Sequence, residues 1–477
     1  MGPLLLLAVV AVTMAVGIAQ ASGGVDWGLI LTGGGVLVVF FGLLYRHADL
    51  TTWSLHPYYK RRLSSVFSLK RIRVEDLSPK EKRRVEALAA QSGSEDGIAV
   101  ERYYDQLVPL SMTALSEESD GNRRWPTLLV CAAANVSDPG ATPPGRTVTS
   151  FTFSANTAGG PLVGAVRMRR LEQAFESTVE AKETEDSLGV PERGLAAKAK
   201  AAWNSGARNR RRDLTLPAAV AMSGAAISPS MGKMTKKSLT FLMALANVRL
   251  GVWVPNPRWV AEGDETKSLP RRYVRPRPIY LVKELFGRNR ISDRYLYVTD
   301  GGHYENLGLV ELLRRGCTEV YCLDATGIGK GGVEFEALGE AIALARSELG
   351  VEIEFDSEQP DEMVPDDAGE KKSETDEKKS SDEEKPGQGS KLAKRDVVTG
   401  TITYRKGPDG KPFKGRLVYV RNTMTAKSPW DVRAHGKSDP RFPNNPTIDQ
   451  LYTDQKFEAY RVLGECAGAN AVTAMRG

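Results

Sequence analysis

Two long apolar runs open the chain and set the first expectation. Residues 1 to 25 carry no charge, and Pro3 to Ala21 are almost wholly apolar. After Asp26 a second uncharged run extends from Trp27 to Tyr45. Each is close to the roughly 20 residues that a spanning helix needs. A signal peptide competes for the first run, and Ala19-Gln20-Ala21 resembles a cleavage site, but no Lys or Arg precedes the apolar stretch. The pattern therefore predicts a two-helix transmembrane hairpin over residues 1–48, turning near Ser22–Asp26. Arg46, Lys60, Arg61, Arg62, Lys70, Arg71 and Arg73 follow the second run. The positive-inside rule then predicts a multi-pass cell-membrane protein whose main domain is cytoplasmic. Gly33-Gly34-Gly35 lies inside the second run and reads as a site of close helix packing rather than a loop.

Beyond the hairpin the pattern is that of an α/β protein. Residues 53–73 predict a basic, amphipathic, aromatic-bearing helix, either resting on the anionic inner leaflet or packed in a core with a solvated basic face. Ser78-Pro79-Lys80-Glu81 marks the start of a further helix. Pro126–Ala134 is a continuous apolar run between turn signals, the pattern of a buried strand in a parallel sheet. Ser150–Ser154 is a second, short strand candidate, and residues 171–213 look helical or mobile. Val351–Phe355, Val397–Tyr404 and Arg416–Val420 have strand character. Residues 357–395 are dense in mixed charge and poor in apolar side chains, so disorder is expected there. The resulting division is a hairpin (1–48), an α/β domain (49–356), a charged insertion (357–395) and a completion of the domain (396–477).

Composition narrows the chemistry. The chain has 477 residues, 41% of them hydrophobic and 26% charged, which allows a sizeable core. A net charge of +6 is too small to argue for nucleic acid, and the Arg208–Arg212 cluster reads as a solvated loop. Only four cysteines and four histidines occur, without a CxxC pair, so no metal site and no cofactor is expected.

The chemistry-bearing stretch is Arg294–Gly327. Tyr295–Thr299 is β-rich, Asp300-Gly301-Gly302 forces a tight turn, Asn306–Arg315 has helical spacing, and Thr318–Leu323 is another strand. This predicts a strand–loop–helix–strand unit with Asp300 at the carboxyl end of a strand, where open α/β sheets hold ligands. A carboxylate there could deprotonate a hydroxyl nucleophile, or merely cap the next helix.

Asp300-Gly301-Gly302-His303-Tyr304-Glu305-Asn306-Leu307-Gly308 resembles the Asp-Gly-Gly motif of patatin-like and cytosolic phospholipase A2-like acyl hydrolases. Trp53–Leu63, Ala221–Gly232, Asn247–Pro257 and Asp449–Gly464 resemble segments of the large membrane-associated bacterial members. The resemblance implies a three-layer α/β fold and a Ser-Asp dyad without histidine, acting on acyl esters of membrane lipids. Asp300 would be the catalytic aspartate. Gly301, Gly302, His303 and Asn306 would support the loop or contact substrate.

The family's other two motifs, a G-G-G-x-R/K oxyanion loop and a G-x-S-x-G elbow, are not intact in this sequence. Ser223 is the nearest match to a nucleophile, with Ala221 and Ala225 where the motif glycines belong. Thr215 reads as an N-cap with Pro217 in the first turn, which places Ser223 near a helix C-terminus, where the dipole opposes an anionic intermediate. Two readings follow: a membrane-anchored hydrolase using Asp300 with Ser223, or an incomplete protein that binds lipid or a second chain supplying the serine.

Overall fold

A computed structural model of the chain describes residues 54–67, 69–73, 98–102, 127–138, 140–176, 214–226, 249–261, 279–285, 287–327, 335–355, 360–365, 392–407, 409–445 and 452–476, with isolated positions elsewhere. The chain divides into two compact units, Met1–Tyr304 and Glu305–Gly477. The segment expected as a transmembrane hairpin lies, apart from Gly35, outside the described residues. Among the described residues no helix is long and apolar enough to cross a membrane, so the multi-pass architecture and the cell-membrane placement built on it are corrected. The longest described helix, Asp454–Arg476, has 23 residues, but Asp454, Lys456, Glu458, Arg461 and Glu465 make its first half far too polar. The Ser78-Pro79 helix start and the Arg208–Arg212 cluster also fall outside the described residues, except for Pro79.

The first unit begins with helix α1 (His56–Phe67) and a hairpin of β1 (Leu69–Arg73) and β2 (Ile98–Arg102). Its main sheet has six strands in the order β6-β5-β4-β3-β8-β7. They are β3 (Val130–Asn135), β4 (Val148–Phe153), β5 (Thr157–Gly160), β6 (Gly164–Arg167), β7 (Val252–Pro255) and β8 (Tyr295–Asp300). Every neighbouring pair is antiparallel. Of the apolar run expected at 126–134, Val130–Ala134 lies in a strand that is largely buried, but of an antiparallel sheet, and Leu128 ahead of it is exposed. Continuous apolarity reports burial of both faces and says nothing of strand direction.

Alternation along β8 separates two cores. Leu296 and Val298 join Val130, Ala132, Ala134, Phe151 and Phe153 on one face. Helices α2 (Met168–Glu176), α3 (Leu216–Ser223) and α4 (Pro257–Ala261) cover it through Met168, Leu171, Ala219, Met222 and Val260. Phe151 and Phe153 have no solvent exposure, and each such ring stabilises the fold by about 1.5–3 kcal/mol. Tyr295 and Tyr297 point to the other face and pack with Trp253 and with Tyr280 of α5 (Ile279–Leu285). Beside them Arg249 and Glu284 form an ion pair of 2.5 Å with both side chains fully buried.

The second unit carries a four-stranded sheet in the order β10-β12-β13-β9. These strands are β9 (Glu319–Asp324), β10 (Glu352–Phe355), β12 (Val397–Tyr404) and β13 (Phe413–Arg421). Within this sheet β9 and β13 pair in parallel, and the β10–β12 and β12–β13 pairs are antiparallel. Helices α6 (Leu309–Arg314), α7 (Glu336–Leu344), α8 (Trp430–Ser438) and α9 (Asp454–Arg476) complete it, with Ala467 and Ala471 of α9 against Val418 and Val420. Within the charged 357–395 segment, Asp361–Met363 forms a 3-10 turn with Met363 fully buried. There too β11 (Leu392–Ala393) pairs with β14 (Met424–Thr425); residues 366–391 lie outside the described residues.

The Arg294–Gly327 stretch is therefore not one strand–loop–helix–strand unit of a patatin-like three-layer sheet. Strand β8 belongs to the antiparallel sheet of the first unit, and β9 to the mixed sheet of the second. Mixed α/β character remains.

Candidate functional site

Asp300 closes β8 and caps the 3-10 turn Gly301–His303. Its Oδ1 accepts a 2.6 Å hydrogen bond from the Gly302 N–H. Burial lifts its carboxyl from the ordinary 3.8 to about 6, and the Gly302 bond opposes that rise. The turn presses against β3: a Cβ at Gly301 would stand 2.7 Å from the Cys131 carbonyl oxygen. Only glycine lets this backbone come so close.

Ser223 arrives at the same place from α3. Thr215 opens that helix as an N-cap, accepting from the Ala218 N–H, with proline in the first turn, as the sequence predicts. The helix ends at Ser223, with Gly224 as its C-cap. The Ser223 hydroxyl donates to the Cys131 carbonyl at 2.6 Å. The next residue of β3, Ala132, is the register partner of Asp300. Ser223 and Asp300 thus flank one short piece of β3. Among the described residues they make no hydrogen bond to each other.

Backbone donors around Ser223 are already engaged. The Gly224 N–H donates to Val220, that of Ala225 to Met222 and that of Ala226 to Gly224. Among the described residues, the N–H groups that follow Ser223 therefore do not form a ready oxyanion hole, unlike those on a strand-to-helix elbow.

Further groups hold the turn after Ser223. His303 is buried and lies with Nδ1 2.9 Å from Thr299 Oγ1, and its ring also hydrogen-bonds to the Ala226 backbone. Burial lowers its pKa to about 4, so the ring is neutral near pH 7. A neutral imidazole has one N–H; with that directed to Ala226, Nδ1 accepts from the Thr299 hydroxyl. Thr299 Oγ1 in turn accepts from Asn135 Nδ2 at 3.0 Å. From α1, the Tyr59 hydroxyl donates to the Gly224 carbonyl at 2.9 Å. Burial raises the Tyr59 pKa, and the Asp300 charge adds to the rise, which puts the phenol within electrostatic reach of that carboxylate.

Of the residues singled out in the sequence, Asp300, Gly301, Gly302, His303 and Ser223 come together. Asn306 is exposed, and it belongs to the second unit. Glu305, beside it, is buried and accepts from the N–H groups of Leu307 and Val310, so it organises the start of α6. Sequence reasoning missed Tyr59. His56 and Tyr59 are three apart, hence on one helix face, and that spacing was a usable signal. His56 is fully buried, its Nδ1 donates to the Leu250 carbonyl at 2.7 Å, and burial with the Lys60 charge drives its pKa to about 3. Of the two readings of this helix, the core one describes its His56 and Tyr59 face. Among the described residues no cluster of His, Cys, Asp and Glu could hold a metal ion.

Models of known families, characterised proteins and solved structures were all compared with the chain, and none matches it.

Proposed function

We propose that the chain is a carboxylic-ester hydrolase of the patatin-like chemical type, acting on lipid acyl esters, with Asp300 as general base and Ser223 as nucleophile. One observation carries this reading: two segments distant in sequence bring the Ser223 hydroxyl onto Cys131 of β3 and the backbone of Asp300 into register with the next residue, Ala132. A base with a pKa of about 6 is ionised at neutral pH yet more basic than an ordinary aspartate. For reaction, the Ser223 hydroxyl turns from Cys131 toward Asp300. Its oxygen then attacks the ester carbonyl carbon while its proton passes to the carboxylate. Collapse of the tetrahedral species breaks the bond to the alcohol, which leaves with the proton. Water then attacks the acyl-serine, gives a proton to Asp300, and Ser223 departs with it. The resemblance of the Asp300–Gly308 sequence to the Asp-Gly-Gly hydrolases supports the lipid acyl substrate.

A second reading has its own observation. Ser223 sits at a helix C-terminus with its hydroxyl on Cys131 and the neighbouring N–H groups engaged. On that reading Asp300 is half a site, and the serine comes from a second chain. Treatment with a fluorophosphonate followed by peptide mass analysis separates the two. The first reading expects an adduct on Ser223 that Asp300→Asn suppresses; an unmodified Ser223 sinks it.

A further inference from the structure

The turn that follows Ser223 is held at two points by groups outside α3. Tyr59 bonds the carbonyl of Gly224, and His303 bonds the backbone of Ala226. Gly224 is fitted to the phenol: a Cβ there would stand 2.9 Å from Tyr59 Oη, tighter than ordinary contact allows. Tyr59 in turn is fixed by its own helix. The fully buried His56 anchors α1 to Leu250, and the Tyr59 N–H bonds the Leu55 carbonyl. The Gly224 carbonyl accepts from the Ala226 N–H within the turn and from the Tyr59 hydroxyl outside it, so the phenol is what ties the end of α3 to α1.

We propose that Tyr59 is a positioning residue for the Ser223–Asp300 pair, setting through Gly224 where the end of α3 lies against the Asp300 turn. This rests on the hydrolase reading for its consequence in catalysis. It also carries a structural claim that stands apart from turnover. His303 is the second tie, made from the Asp300 turn itself. Loss of the phenol hydroxyl therefore removes the tie at Gly224, between the Ser223 bond to Cys131 on one side and the His303 bond to Ala226 on the other. The ring of Tyr59 keeps its packing in a Tyr59→Phe variant, so the hydroxyl alone is removed.

The test compares wild type, Tyr59→Phe, Gly224→Ala and the double variant by hydrogen exchange of the 216–226 peptide and by ester hydrolysis. The proposal expects faster exchange in both single variants. It expects Gly224→Ala to do no further harm when combined with Tyr59→Phe, since removing the hydroxyl makes room for the new methyl. In turnover it expects kcat to fall by about tenfold or more with KM within about twofold, the pattern of a misplaced reacting group. Unchanged exchange and unchanged kcat in Tyr59→Phe overturn the proposal. So does full additivity of the two substitutions in the exchange measurement. If wild type hydrolyses nothing while exchange follows the expected pattern, the tie at Gly224 stands and the hydrolase reading falls.

Discussion

Ser223 and Gly301 meet at one atom, the carbonyl oxygen of Cys131. The serine hydroxyl donates to it at 2.6 Å, and a Cβ on residue 301 would come within 2.7 Å of it. The end of α3 and the Asp300 turn are therefore packed on the same point of β3. A change at any of the three is felt by the other two.

Gly301→Ala tests that packing. The clash would be with backbone of a central strand, which cannot move aside as a flexible side chain can. The expected cost is about 1–3 kcal/mol, read as a lower denaturation midpoint, with loss of turnover because the Asp300 turn is displaced. A variant with wild-type stability and activity would show that the turn is not held against Cys131.

Asp300 carries a pH signature. Its folded pKa, about 6, lies above the ordinary 3.8. A raised carboxyl pKa means that the folded state binds the proton more tightly than the unfolded chain. The favourable contribution is complete below about pH 3.8 and is lost as the pH rises through about 6. Asp300→Asn removes that penalty while keeping an acceptor for the Gly302 N–H. The variant is expected to exceed wild type in stability at pH 8 by up to about 3 kcal/mol, with the gap closing toward pH 4. Chemical denaturation at several pH values checks the sign. Hydrolysis by wild type should rise through the same pH range, because the base acts when ionised.

The ion pair of Arg249 and Glu284 gives a prediction away from the site. Both side chains are fully buried, and burial pushes the Glu284 pKa up while Arg249 opposes the rise. Arg249→Met leaves a buried carboxylate without that guanidinium, which costs about 3–5 kcal/mol. Equal denaturation midpoints for Arg249→Met and wild type would contradict this.

The local elements were largely legible in the sequence, and the assembly was not. Thr215, Pro217 and the end of α3 at Ser223 follow from capping chemistry, which is local. The strand before Asp300 and its Gly-Gly turn follow from β-rich residues meeting glycines. Direction and pairing are non-local. Neither the apolar run at 126–134 nor the one at 295–299 says that β3 and β8 run antiparallel side by side. Nor could spacing show that β8 and β9, only an α6 apart, enter different sheets. The role of Tyr59 was hidden for the same reason. A basic, aromatic stretch fits a membrane surface or a core equally well until the helix it packs against is known.

The most direct measurement is hydrolysis of a fluorogenic short-chain acyl ester by purified wild type, Asp300→Asn and Ser223→Ala, with each variant's folding checked by its melting curve. Ser223→Ala removes one hydrogen bond, so about 1 kcal/mol of stability is expected to be lost and the fold kept. The account predicts turnover by wild type and its loss, by about a thousandfold or more, in both folded variants, because nucleophile and base act as a unit. Wild-type turnover that survives Ser223→Ala, or its absence in well-folded wild type, would contradict the assignment of Ser223 and Asp300 as a working pair.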